Sequence, residues 1–238
     1  MSCATAPLQP DRIHPSLWRA TELAGSQHTC LSSGHGALDT ELPGHGWPTG
    51  SLTELLIAQP GIGELRLLRP VLAGLDRQRP IVMLQPPHPP NSVCCTSRAP
   101  NERAWLWLAP QRSQDAPWAA EQILRNGCCA ALLYWQTDIR AATLRRLHLA
   151  AQSSDTLFFM LRPARAANQS SPAPLRLHLT PAPAGLHIDI IKRRGPSLNE
   201  TLLIDLPTPA PLVTQHAPLD RRTPARTRAG RPAPAMAR

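Results

Sequence analysis

The stretch that decides the fold is Leu55-Leu56-Ile57-Ala58-Gln59-Pro60-Gly61-Ile62-Gly63-Glu64-Leu65. Its beginning closes an apolar run typical of a strand, its glycines indicate a turn, and a helical pattern begins at Glu64. A strand, a glycine-containing turn and a helix form the context of a phosphate-binding loop, because backbone N–H groups and the helix N-terminus together attract anions. The stretch therefore predicts a loop at the position where nucleotide phosphates bind in such folds.

The side chains for nucleotide chemistry are missing from this loop. Glu64 stands where the motif has a lysine for the terminal phosphates, and Leu65 stands where it has the serine or threonine that binds magnesium. A carboxylate at the lysine position replaces attraction by repulsion of similar size, on the order of 4 kcal/mol at ~4 Å with an effective dielectric near ~20. Gly61, Gly63, Glu64 and Leu65 are therefore interpreted as a degenerate phosphate loop. Poor nucleotide binding, no cofactor and no enzymatic activity are expected.

Acidic residues are also missing from the neighbouring strand ends. The strand that ends at Trp135 is followed by Gln136-Thr137 rather than by an aspartate for magnesium, and Asp138 is interpreted as the cap of the next helix. The strand that ends at Leu108 continues into Ala109-Pro110-Gln111, without a carboxylate to orient a hydrolytic water. On the residues alone, an unrelated strand-to-helix turn stays as the alternative to a degenerate phosphate loop.

Apolar runs alternate with helical patterns on both sides of the loop. This alternation predicts an α/β fold with a mainly parallel sheet flanked by helices, and with half-exposed antiparallel strands at the sheet edge. Strands are expected at residues 52–57, 80–85, 104–108, 129–135 and 156–161, edge strands at 175–179, 186–191 and 202–206, and helices at 64–76, 117–125 and 139–152. Asp115 and Gly127 are expected to cap the second helix, and turns around a short helix are expected at 31–50.

Composition divides the chain into three parts. Residues 1–30 are expected to form an N-terminal arm, residues 31–206 one α/β domain that contains the degenerate loop, and residues 207–238 a disordered tail rich in proline and arginine. The tail holds six arginines and one aspartate, so it carries more than half of the chain's net charge of +9. The domain itself is only mildly basic, which argues against a strongly basic nucleic-acid surface.

The six cysteines show neither a C-x-x-C motif nor a spacing with histidine that suits zinc, so free thiols and no metal site are expected. No apolar run approaches the ~20 residues of a membrane span, and the N-terminus does not resemble a secretory signal. These observations favour a cytoplasmic protein without membrane contact.

A series of short motifs occurs along residues 14–206 in an order that resembles the ImuA family of translesion-synthesis accessory proteins, part of the wider RecA and SulA-like group. The motifs are Leu17-Trp18-Arg19, Ser33-Gly34, Leu38-Asp39, Leu42-Pro43-Gly44-His45-Gly46-Trp47-Pro48-Thr49-Gly50, Leu52-Thr53-Glu54-Leu55-Leu56, Gly61-Ile62-Gly63-Glu64-Leu65, Pro86-Pro87, Trp118-Ala119-Ala120-Glu121-Gln122, Arg145-Arg146-Leu147-His148-Leu149-Ala150-Ala151, Ser171-Pro172-Ala173, Leu175-Arg176-Leu177 and Lys192-Arg193-Arg194-Gly195.

The resemblance implies a RecA-like P-loop fold without the ordinary ATPase residues. It implies a non-catalytic accessory role in error-prone translesion synthesis, which belongs to the SOS response to DNA damage. The implied partners are the Y-family polymerase-like protein ImuB and an error-prone replicative-type DNA polymerase, with RecA as a further candidate. Two rival functions stay open: a SulA-like cell-division inhibitor that binds FtsZ, and an ATP-dependent DNA-binding protein.

Two groups of basic residues are candidate contacts with a partner or with DNA. Arg145 and Arg146 lie in a predicted helix, and Lys192, Arg193 and Arg194 follow a predicted strand. Solvated charge without a partner is the alternative for both groups. Weak, salt-sensitive DNA contact is the corresponding expectation for the tail arginines. The polar loop at 164–172 is interpreted as a connector, because it holds one base and no aromatic residue for stacking.

Overall fold

The computed structural model describes residues 29–88, 104–112, 114–195 and 200–206. Its strands are β1 (Cys30–Leu31), β2 (Trp47–Pro48), β3 (Ser51–Ile57), β4 (Ile81–Leu84), β5 (Trp105–Leu108), β6 (Ala131–Trp135), β7 (Leu157–Pro163), β8 (Leu175–Ala182), β9 (Gly185–Lys192) and β10 (Leu202–Asp205). Its helices are α1 (Gly36–Glu41), α2 (Glu64–Gly74), α3 (Asp115–Asn126) and α4 (Ala141–Ala151), and a 3-10 helix spans Ala164–Asn168.

Eight strands form one mixed sheet in the order β10-β9-β8-β3-β7-β6-β4-β5. All pairings from β8 to β5 are parallel, whereas β9 pairs antiparallel with both β8 and β10. The chain therefore has an α/β fold with a mostly parallel sheet flanked by helices, which confirms the expectation from the alternating pattern.

The strand β3, which leads into the loop, is buried along its whole length. It lies between β7 and β8, in register with both, so neither of its edges is exposed. A strand that is covered on both faces and both edges has few polar residues, and those of β3, which are Ser51, Thr53 and Glu54, are all buried. The loop is thus fixed to a fully buried strand of the sheet.

Two hydrophobic cores cover the two faces of the sheet. The first core contains residues of α1 and α2 and reaches across the sheet from β4 to β10. The second core contains residues of α3 and α4 and covers β3, β4, β6 and β7. The loop after β3 consequently leads to a helix on one face of the sheet, and the loop after β6 leads to a helix on the other face. In open α/β sheets, ligands bind at the carboxyl ends of the strands where the connections leave to opposite faces.

The positions of β8 and β9 correct the prediction that residues 175–179 and 186–191 form edge strands. β8 lies between β3 and β9, and β9 lies between β8 and β10, so β10 is the strand at that edge. The alternation of β8 has another cause: Leu175, Leu177 and Leu179 enter the first core, while Arg176 and His178 point to the other face of the sheet. An alternating pattern reports which face is apolar, and it does not report how many neighbours a strand has.

Both predicted N-terminal helix caps are wrong. Asp115 is the first residue of α3, which follows Gln114, and Asp138 precedes the N-cap of α4, which is Arg140. Neither helix has a side-chain capping hydrogen bond at its start. The predicted C-terminal cap is confirmed, because Gly127 ends α3 with a left-handed φ of 57°.

The helix α2 confirms the predicted position. Of the leucines that recur at helical spacing, Leu68 and Leu72 are buried, whereas Leu65 is 39% exposed. The buried face of α2 also includes Leu67 and Val71. Pro70 lies inside the helix, which continues through it to Gly74.

The segment before β3 contains the predicted short helix, α1, together with an unexpected strand pair, β1 and β2. Asp39 of α1 holds this segment by accepting hydrogen bonds from the Ser32 hydroxyl at 2.6 Å and the Ser33 N–H at 2.7 Å. Burial raises the pKa of Asp39, but the hydrogen bonds from Ser32 and Ser33 outweigh it and hold the pKa below its ordinary value.

Several predictions fall outside the described residues. These concern the N-terminal arm up to residue 28 and the tail at 207–238. Within the described part, Cys30, Cys128 and Cys129 form no disulfide. Of the helices that the structure describes, none is long and apolar enough to span a bilayer.

Candidate functional site

The loop between β3 and α2 has the backbone shape of an anion-binding nest. Gly61 and Gly63 have φ values of 87° and 123°. Residues other than glycine rarely adopt these values, so both positions need glycine for a conformational reason. The loop turns its N–H groups inward at the start of a helix, where the helix dipole favours negative charge.

The anion in this nest is the chain's own Glu64. One carboxylate oxygen of Glu64, Oε1, accepts a hydrogen bond from the Gly61 N–H at 2.8 Å, and Oε2 accepts one from the Gly63 N–H at 3.1 Å. Glu64 is only 4% exposed. The carboxylate therefore acts as the anion of the nest and uses donors that an external anion would need.

The end of β10 closes one side of the loop. A Cβ atom added to Gly63 would lie 3.0 Å from Nη2 of Arg66 and 3.3 Å from Cδ1 of Leu206. Arg66 also donates a hydrogen bond from Nη1 to the Leu206 carbonyl oxygen at 3.4 Å. Leu206 is buried against the first core. The nest is thus occupied from inside and covered by a hydrophobic residue from the far end of the domain.

Polar side chains that follow β6 form a hydrogen bond and an ion pair within the chain. After β6, the Gln136 side chain donates to the Asp138 carbonyl oxygen at 2.6 Å, and the exposed Asp138 carboxylate lies 3.5 Å from Arg165. Within the ranges that the structure describes, no group of three or more His, Cys, Asp or Glu residues could hold a metal ion.

A buried ionic cluster that the sequence reasoning missed lies on β3, β7 and β8. Glu54 is fully buried, and its two carboxylate oxygens pair with Nη1 of Arg162 at 2.9 Å and Nε of Arg176 at 2.6 Å. Both arginines are buried too, so two positive charges share one negative charge. The glutamate inside the apolar run of β3 is the sequence feature that indicates such a cluster, because a buried carboxylate needs a partner of opposite charge.

This cluster holds the 3-10 helix and the turn after it. Arg176 donates from Nη2 to the Ala166 carbonyl oxygen at 2.7 Å, and Arg162 donates from Nη2 to Oε1 of Gln169 at 2.7 Å. The polar segment at 164–172 is therefore fixed to the sheet by side chains rather than by a core of its own.

Lys192, the last residue of β9, and the two arginines that follow it have different environments. Nζ of Lys192 donates to the Ser171 carbonyl oxygen at 2.9 Å, and burial together with nearby Arg176 lowers its pKa. The guanidinium of Arg193 pairs with the Glu41 carboxylate at 2.9 Å and also donates to the Glu41 carbonyl oxygen at the end of α1. Arg194 is exposed. Lys192 and Arg193 thus both contribute contacts within the domain.

Arg145 and Arg146 lie on α4, whose core residues cover the sheet face opposite to α1. Nε of Arg146 lies 2.8 Å from Oε2 of Glu121 on α3, whereas Arg145 is exposed. Because Arg193 packs against α1, the two predicted basic groups belong to different surfaces. They do not form one continuous binding patch.

No protein-family model matches the chain, and a search of curated proteins finds none that matches it. The site is therefore interpreted from its own geometry. That geometry is a nest for a phosphate-sized anion, occupied by a carboxylate of the same chain and closed by the residue that follows β10.

Proposed function

We propose that the chain is a RecA-like, non-catalytic accessory protein of error-prone translesion DNA synthesis that acts by binding polymerase-related proteins. The observation that carries the non-catalytic part is the Glu64 carboxylate in the nest between Gly61 and Gly63. A nucleotide phosphate would have to displace a buried carboxylate, and the two like charges would repel each other at close range. A protein with this loop acts through its surfaces.

The sheet supports a RecA-like fold. The strand before the loop, β3, lies among the parallel strands, and the antiparallel strands β9 and β10 follow at one end of the sheet. The loop lies at the carboxyl edge, where connections leave to opposite faces. This is the arrangement that the resemblance implies.

The motifs of the ImuA resemblance coincide with residues that hold the domain together. Asp39 fixes the segment before β3, Glu54 and Arg176 form the ionic cluster, and Glu64 occupies the nest. These residues come from distant parts of the chain, so the motifs support one fold rather than a set of chance matches. The partners implied by the resemblance, the Y-family polymerase-like protein ImuB and the error-prone replicative-type polymerase, are part of the proposal.

Co-purification tests the choice of partner. The tagged full chain is co-expressed with the Y-family polymerase-like protein or with FtsZ, and each complex is measured by affinity capture and size-exclusion chromatography. We expect a complex with the polymerase-like protein. Capture of FtsZ alone would overturn the proposal in favour of a cell-division inhibitor.

Nucleotide assays test the non-catalytic part. Equilibrium dialysis with labelled ATP and a phosphate-release assay in the presence of single-stranded DNA should give no saturable binding and no turnover. ATP turnover that a Glu64→Ala substitution abolishes would identify an ATP-dependent enzyme instead.

A further inference from the structure

Two large apolar side chains are exposed on the paired helices α3 and α4. Trp118 on α3 is 63% exposed, and Leu149 on α4 is 64% exposed. The two helices pack against each other over the second core. Exposed apolar side chains of this size, placed on neighbouring elements, are typical of a binding surface rather than of scattered surface residues.

An ionic centre links the same two helices. Oε1 of Glu121 on α3 lies 2.8 Å from Nη2 of Arg125, and Oε2 lies 2.8 Å from Nε of Arg146 on α4. The Glu121 side chain is only 8% exposed, whereas both arginines are more than half exposed. Two guanidinium groups thus share one carboxylate, and the exposed Arg145 adds to the positive charge.

The direction of the helices places the apolar residues on either side of this centre. α3 connects β5 with β6 and α4 connects β6 with β7, so both run antiparallel to the parallel strands and parallel to each other. Trp118 precedes Glu121 by one turn, and Leu149 follows Arg146 by one turn, which is a rise of about 4.5 Å in each case. Along the helix axes, Trp118 and Leu149 therefore lie on opposite sides of the ionic centre.

We infer that this α3–α4 surface, formed by Trp118, Arg125, Arg145, Arg146 and Leu149, binds an acidic segment of the polymerase-like partner that carries apolar anchor residues. The inference rests on the proposed function, which supplies the partner. Exposed tryptophan and arginine are the residues that most often dominate the free energy of protein interfaces. The excess of positive charge selects an acidic segment by complementarity.

A nucleic acid fits this surface less well than an acidic peptide. The surface offers Trp118 alone for base stacking, since Leu149 is aliphatic. An acidic peptide with apolar side chains can use both the arginines and the two anchors.

Affinity measurements on the full chain with the purified polymerase-like protein test the inference. The variants are Trp118→Ala/Leu149→Ala and Arg145→Glu, and the controls are Leu203→Ala and Arg69→Glu, which remove an exposed leucine and an exposed helical arginine elsewhere. We expect the two surface variants to weaken binding more than about tenfold, as loss of interface anchors does. The controls should bind like wild type, and thermal melts establish that all variants are folded.

The outcomes distinguish a failure of the surface inference from a failure of the proposed function. If wild type binds the partner and the surface variants bind it equally well, the surface inference is overturned and the proposed function stands. If wild type does not bind the partner, the proposed function fails and the inference fails with it.

Overlapping peptides of the partner identify the chemistry of its segment. Peptides that bind wild type and not Trp118→Ala/Leu149→Ala should be acidic and contain leucine or an aromatic residue. The assignment is overturned if basic peptides bind instead of acidic ones. It is also overturned if the surface variants lose affinity for a single-stranded oligonucleotide and keep their affinity for the partner.

Discussion

Removing the carboxylate of Glu64 should destabilise the domain and open the anion nest. In Glu64→Ala, the Gly61 and Gly63 N–H groups lose their acceptor. A hydrogen bond to a charged group contributes about 1.5–3 kcal/mol net, and the exposed Gly61 N–H recovers part of this from water. We therefore expect a loss of about 2–4 kcal/mol of unfolding free energy, or roughly 5–15 °C in Tm for a domain of this size.

Inorganic phosphate provides the second half of this experiment. The empty nest of Glu64→Ala should bind phosphate, whereas the occupied nest of wild type should not. At a phosphate concentration ten times the Kd, binding to the folded state adds about 1.4 kcal/mol of stability. Thermal and urea denaturation with and without phosphate measure both effects.

Asp115→Ala is the matched control, because Asp115 also begins a helix but that helix has no side-chain capping hydrogen bond. It should lose less than about 0.5 kcal/mol and should not respond to phosphate. The reasoning is refuted if Glu64→Ala is as stable as wild type, or if phosphate stabilises wild type as much as the variant.

Three further predictions follow from buried or shielded groups. Because the pKa of Asp39 lies below its ordinary value of 3.8 in the folded state, its contribution to stability is complete above that pH and is lost as the pH falls through the folded pKa. Asp39→Asn should therefore be less stable than wild type at neutral pH, and urea denaturation should show the difference shrinking in acid; a constant difference would contradict this. Glu54→Gln should cost about 3–5 kcal/mol in urea denaturation because it leaves Arg162 and Arg176 buried without a counter-charge, whereas Glu54→Leu with both arginines replaced by methionine should recover most of the loss. A cost below about 1 kcal/mol for Glu54→Gln would show that the cluster is solvated. Burial raises the pKa of the Cys129 thiol to about 12, so iodoacetamide should alkylate exposed Cys128 in the native protein and reach Cys129 only after unfolding, as read by fragment mass spectrometry; equal rates at the two cysteines would be inconsistent with the fold.

The arrangement of strands and helices could be predicted because it depends on local patterns. The apolar runs of β3, β4, β6 and β7 and the helical spacing of Leu68 and Leu72 coincide with burial, whereas the apolar run of β5, at the sheet edge, is mostly exposed. The identity of Glu64 at the lysine position predicts a degenerate phosphate loop, which stays a prediction.

The contacts that hold the site depend on chain segments far apart in sequence. Glu54 meets Arg162 and Arg176, which lie 108 and 122 residues further along the chain, and Arg66 meets Leu206 at a separation of 140 residues. No local pattern states which buried charge pairs with which partner. The strand order decides it, and β8 shows the difficulty, since its alternation predicted an edge that the sheet does not have there.

These contacts give the glycines of the loop a structural role that does not require a nucleotide. The left-handed values of φ at Gly61 and Gly63 are needed for the turn itself, whatever anion the nest holds. With Glu64 as that anion, the loop contributes to the stability of β3 and α2. Leu206 and Arg66 then connect the loop to the end of β10, so the nest joins the beginning of the sheet with its last strand. In this form the turn acts as a structural link, and under the proposed function the surfaces of the surrounding helices would bind the partner.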